Sequence, residues 1–90
     1  MDLTDKPSIP PQVMAREMGD ETVVLDLASG TYFGLDPIGT RIWQLIGEGE
    51  TLGEICDTVL NEYEVTREAL VPDVMDLVDK LLEQKLITIE

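Results

Sequence analysis

The sequence predicts an α+β domain, a three-stranded antiparallel sheet followed by three helices. Three observations carry this. Residues 13–35 hold three short runs of strand-forming residues, separated by the turn signals Gly19-Asp20-Glu21 and Ala28-Ser29-Gly30. Three helical runs then open on capping residues, at Asp36-Pro37, Thr51 and Thr66. Finally, 90 residues with a 43% apolar fraction suit one domain with a single small core.

The elements follow in order. Residues 1–12 (MDLTDKPSIPPQ) carry Pro7, Pro10 and Pro11 and are expected to form a mobile or extended tail, with the domain proper spanning 13–90. Val13 to Met18 is the first strand. Thr22 to Leu27 is the second, with Val23, Leu25 and Leu27 on one face and Thr22, Val24 and Asp26 on the other. Thr31 to Leu35 (TYFGL) is the third, aromatic and β-branched as a half-buried pleated surface requires. Its register is not readable, so either Tyr32 or Phe33 faces the core.

The first helix runs from Pro37 to about Ile46, with Ile38, Ile42, Leu45 and Ile46 at helical spacing and Trp43 beside them in the core; Gly47 and Gly49 stop it. Thr51 with Glu54 three residues on is a capping box, and Leu52, Ile55, Val59, Leu60 and Tyr63 form the apolar face behind it. The third helix starts after Thr66 and runs to about Lys85, with a kink or short break expected at Pro72. Leu86 to Ile89 suits a short terminal strand.

The third helix carries two apolar stripes, Leu70, Val74, Leu77 and Leu81 beside Val71, Met75, Val78 and Leu82. One stripe suffices for packing on neighbouring helices. Either both are core, or the second lines a groove between this helix and the third strand.

Strands followed by three helices make a winged helix-turn-helix-like pattern, which often signals DNA binding. Here the composition argues otherwise. Nineteen acids against six bases give a net charge of −13, and the third helix is itself net acidic. Such a field repels nucleic acid and anionic membranes and attracts a basic partner. The chain has no histidine and one cysteine, so the usual general base, a disulfide and a cysteine-based zinc site are excluded. Cys56 sits near an apolar helical face with Asp57 beside it and reads as a buried structural thiol. The clusters Glu48/Glu50/Glu54 and Asp73/Asp76/Asp79 lack the loop spacing of a calcium site and read as solvated faces. No cofactor, metal or catalytic activity is expected. Without an apolar signal core or spanning run, the expected location is cytoplasmic.

Three segments carry a resemblance: VVLDLASGTYFGLDPIGTRIW (Val23 to Trp43), TLGEICDTVLNEYEV (Thr51 to Val65), and Asp73-Val74 ahead of LLEQKLI (Leu81 to Ile87). Together they resemble the PqqD family over about residues 13–89. These domains are recognition elements for ribosomally synthesised, post-translationally modified peptides, and the stretch from Gly30 to Trp43 looks closer to free-standing members in lasso-peptide clusters than to the pyrroloquinoline quinone biosynthesis protein itself. The resemblance implies a non-catalytic peptide chaperone. A leader peptide would add as a strand to the third strand and be passed to a peptidase, cyclase or other maturing enzyme.

Carried onto this chain, the docking edge would be Thr31, Tyr32, Phe33 and Gly34, and the opposing wall Val71, Met75, Val78 and Leu82. Asp76, Asp79 and Glu83 would flank the groove and steer a basic leader. Gly34 either leaves room for a close backbone or marks a bulge. The alternative is an acidic winged-helix module for protein contacts or regulation, without DNA binding. The leader sequence, product class, modification chemistry, enzyme partner and oligomeric state are not legible in the sequence.

Overall fold

The computed structural model describes residues 1–89, so Glu90, the last residue of the expected domain, lies outside the described residues. Its elements are β1 (Pro7–Ser8), β2 (Val13–Met18), β3 (Glu21–Asp26), β4 (Tyr32–Leu35), α1 (Pro37–Gly47), α2 (Leu52–Glu62), α3 (Arg67–Glu83) and β5 (Thr88–Ile89). Strands β2, β3 and β4 form the expected antiparallel meander, in that spatial order. Gly19 and Gly30 turn the chain between them with φ of 68° and 77°, a region that favours glycine.

The alternation in β3 resolves against hydrophobicity. Thr22, Val24 and Asp26 face the core, while Val23 and Leu25 are only half-buried on the outer face. Asp26 tolerates this position because its carboxylate accepts the Ala28 N–H (2.9 Å) and the Ser29 hydroxyl (3.0 Å) in the turn that follows. Phe33 packs against the core, whereas Tyr32 stands out in solvent.

Helix starts follow their caps. The Asp36 carboxylate accepts the Gly39 N–H at 2.7 Å, with Pro37 beginning the helix. Thr51 and Glu54 form the reciprocal capping box, at 3.2 and 2.8 Å. Thr66 accepts the Ala69 N–H at 3.2 Å. α1 packs across β3 and against α2, and α3 packs on α2. Ile42, Trp43, Leu45 and Ile46 of α1 meet Leu52, Ile55, Cys56 and Val59 of α2 and Leu70, Val74, Val78 and Leu81 of α3 in one core.

Two expectations are corrected, and the expected terminal strand is shorter than its sequence range. The first twelve residues are not a free tail. Pro7 and Ser8 pair with Ile89 and Thr88, Pro7 is buried, and Ile9 packs on the core. The tail also completes α2. The Asp5 and Leu3 carbonyls accept the Leu52 and Gly53 N–H groups at 2.9 and 2.8 Å, satisfying donors that a helix start leaves without partners. A methyl group at Gly53 would approach the Leu3 carbonyl to 3.1 Å, so the glycine permits this contact.

The terminal strand is Thr88–Ile89, paired with β1 outside the three-stranded sheet. Lys85 turns the chain there in the left-handed region (φ 60°), and the Leu86 N–H reaches back to the Leu81 carbonyl at 2.9 Å. Of the kink or short break expected at Pro72, the break is absent: helix α3 is continuous from Arg67 to Glu83. Pro72 and Glu68, four residues before it, both lie on the exposed side, where water can replace the missing N–H for the Glu68 carbonyl.

Candidate functional site: a sheet edge beside an acidic cleft

Strand β4 pairs with β3 on one side only, so its other edge is free. The ladder decides which of its groups point outward. The Asp26 N–H donates to the Thr31 carbonyl at 2.8 Å, and hydrogen-bonded pairs alternate with non-bonded ones in an antiparallel ladder. From the register, Val24/Phe33 and Thr22/Leu35 are bonded pairs, while Leu25/Tyr32 and Val23/Gly34 are not. The other side of β3 agrees: the Leu27 N–H donates to the Gln12 carbonyl at 2.9 Å, which assigns the odd-numbered residues of β3 to β2. Tyr32 and Gly34 therefore present their N–H and C=O groups to the free edge. The register through Gly34 is regular, so the glycine marks no bulge, and a methyl group there would meet nothing within 4 Å.

Beside this edge lies a cleft of about 430 Å³ between β4 with the start of α1 and one flank of α3. Its apolar lining comes from buried Leu35, Ile42, Leu70 and Val74 and half-buried Phe33, Ile38 and Leu77. Ala69 and Val65 extend it toward the start of α3. Its polar lining is Asp36, Asp73, Asp76 and Lys80. Asp36 is occupied in capping α1, and Asp76 holds Lys80 at 3.2 Å. Asp73 has no hydrogen-bond or ion-pair partner among the described residues. The site is thus an apolar slot with one unengaged carboxylate at its lip, Gly34 in its wall and the free β4 edge beside it. Such a surface can hold an extended chain by main-chain pairing.

The structure brings together only part of the expected site. Thr31, Tyr32, Phe33 and Gly34 do form or adjoin the free edge, with Phe33 and Gly34 lining the cleft. The expected wall does not face them. Val78 is fully buried in the core, and Val71, Met75 and Leu82 are half-buried outside the cleft lining. The wall is instead built from Leu70, Val74 and Leu77 with Ala69, Asp73 and Asp76. Asp76 lines the cleft as expected, whereas Asp79 and Glu83 are exposed on α3 away from it. Both apolar stripes thus contribute to the core, and the groove is cut along the first. Asp73 and Leu77 were within reach of sequence reasoning, since they sit at helical spacing from Leu70 and Val74, but nothing local says which flank of α3 meets β4.

Cys56 is buried, and desolvation pushes its thiol above the ordinary value, against thiolate chemistry. No cluster of three or more metal-ligating side chains occurs among the described residues. Arg41 bridges α1 to α2 through a two-pronged contact with Glu62, at 2.8 Å for each bond, and this hydrogen bonding lowers the Glu62 pKa.

A lowered carboxylate pKa stabilises the fold above the unfolded value and loses that contribution as pH falls through the folded one. Glu62→Gln should therefore be less stable than the parent at neutral pH, with the gap closing below the ordinary glutamate range. Urea melts of both proteins over a descending pH series would check it; a gap unchanged into strong acid would refute the assignment.

The family known as coenzyme PQQ synthesis protein D (PqqD) matches residues 21–87. This chain belongs to the PqqD family. Two solved structures show the same PqqD fold. One is TbiB1 in complex with the TbiA(beta) leader peptide, 40% identical, with 89% of this chain and 93% of that one covered and a TM-score of 0.84. The other is a lasso peptide synthetase B1 complexed with the leader peptide, 25% identical, with 92% and 98% covered and a TM-score of 0.82. No curated protein matches this PqqD-family chain. No described helix is long and apolar enough to cross a membrane.

Proposed function

We propose that this PqqD-family protein captures the leader of a ribosomally made precursor peptide, as a strand added to β4, and presents it to a maturing enzyme of a lasso-peptide system. The observation that carries the reading is the free β4 edge, with Tyr32 and Gly34 aimed outward beside an apolar cleft. The two similar proteins bound to leader peptides support it. Main-chain bonds to β4 supply affinity without regard to sequence, and leader side chains on alternate positions enter the cleft. An apolar side chain fits the slot between Phe33 and Leu77, and a basic one meets Asp73. The net charge of −13 draws such a leader in, with Asp76, Asp79 and Glu83 adding to the field of α3. The protein supplies binding and no chemistry: it has no histidine, and its one thiol is buried.

The test is titration of the full chain with a fluorescent synthetic leader peptide, starting from the TbiA(beta) leader bound by the similar TbiB1. Leu77→Asp should weaken binding at least tenfold, about 1.4 kcal/mol, with circular dichroism unchanged. Association should slow as salt rises while dissociation stays nearly constant. Parent-like affinity of a folded Leu77→Asp protein would remove the cleft from the site, and mass change of the leader by the pure protein would overturn the non-catalytic reading.

A further inference from the structure

Among the described residues, the outer face of the sheet carries an exposed set of apolar side chains. Three cross-strand rows build it: Met14, Leu25 and Tyr32; Arg16, Val23 and Gly34; and Met18 with Glu21. Met14, Met18 and Tyr32 are 53%, 56% and 75% exposed. Contiguous exposed apolar surface of this kind marks an interaction site. Its composition is that of an interface centre, where tyrosine, methionine and arginine are enriched and acids are depleted. In a chain with nineteen acids, these rows carry a single carboxylate, Glu21.

Arg16 supplies a second, independent observation. The chain has three arginines. Arg41 binds Glu62 and Arg67 binds Asp57, but Arg16 has no carboxylate partner within 4.0 Å among the described residues. A guanidinium left unpaired at the centre of an apolar face is placed to receive a carboxylate from outside. The occupant must offer apolar surface, a carboxylate for Arg16 and a base for Glu21. A second copy of the same face offers all three at once.

We infer that this face joins two copies of the chain in an isologous dimer, with Arg16 of each copy paired to Glu21 of the other. A two-fold interface sets the same patch against itself, so one unlike-charge pair on the face becomes two pairs across it. Stacked sheets leave strand edges unobstructed, so the β4 edge stays open in the dimer. The inference does not rest on the leader-binding reading. The two copies repel through −13 charges each, so salt strengthens this association, opposite to its effect on capture of a basic peptide.

Sedimentation velocity on the full chain, from micromolar to millimolar concentration at low and high salt, tests it. The expected result is a monomer–dimer equilibrium, starting from 10.0 kDa, that shifts toward dimer with salt. Arg16→Glu should weaken it at least tenfold, and adding Glu21→Arg should restore it; both positions are exposed, so the fold is retained. A monomer throughout would overturn the proposal and leave the face to a different protein. So would a dimer that Arg16→Glu leaves unchanged.

Discussion

Val78→Asp is expected to leave the protein unfolded at neutral pH. Val78 has no exposed surface and packs among the core residues of α3, α2 and α1. The change removes about 1.5–3 kcal/mol of apolar burial. It also buries a carboxylate within the apolar core, a further several kcal/mol unless the group takes up a proton. A domain of this size holds only about 5–15 kcal/mol in all. Circular dichroism with urea unfolding measures the loss, and a cooperative transition within about 1 kcal/mol of the parent would refute the core placement. The neighbouring change Leu77→Asp is the contrast. It lies one residue, about 100° of helix, away on the half-buried cleft side and keeps the fold. Had Val78 lined the groove, the two variants would behave alike.

Tyr32→Pro is expected to cost at least tenfold in leader affinity while the protein stays folded. The ladder between β3 and β4 does not use the Tyr32 N–H, because Leu25/Tyr32 is a non-bonded pair. Proline there removes only an outward donor, and edge strands tolerate it. Phe33→Pro is the opposite case: it removes a donor to β3 and an aromatic ring packed on the core, so it destabilises the sheet itself. Tyr32→Ala keeps the N–H and separates loss of the ring from loss of the donor. Amide exchange gives an independent reading. Bound leader should newly protect Tyr32 and Gly34, while Phe33 and Leu35 are protected before it arrives. Protection appearing on β2 instead, or full affinity in Tyr32→Pro, would show that the peptide does not add at β4.

How legible the site was depended on how local each feature is. The family resemblance put the expected docking edge on the third strand, and the structure leaves one edge of that strand, β4, without a partner among the described residues. The sequence could not separate Tyr32 from Phe33, because two adjacent aromatic residues satisfy alternation in either register and a shift of one exchanges the faces. Hydrophobicity would even mislead in β3, where polar Thr22 and Asp26 face inward and Val23 and Leu25 look outward. The turn at Ala28 to Gly30 resolves it, since Asp26 bonds back into that turn. The tail from Met1 to Gln12 read as loose because three prolines exclude regular structure. Its partners, the α2 N-terminus and β5, lie more than forty residues away in sequence and carry no local sign of it.

What the sequence by itself determined were the features written in short range: three strands set by alternation and turn residues, three helix starts set by Asp36, Thr51 and Thr66, and an acidic surface. Each of these depends on neighbours within about four residues, or on composition, so no tertiary information is needed. Only the tertiary structure decided which flank of α3 forms the cleft wall. With apolar residues at positions 70, 71, 74, 75, 77, 78, 81 and 82, the helix has no unique inward direction in its own pattern. Packing against α2 and the rest of the core buries Leu70, Val74, Val78 and Leu81, and that rotation turns Ala69, Asp73 and Leu77 toward β4.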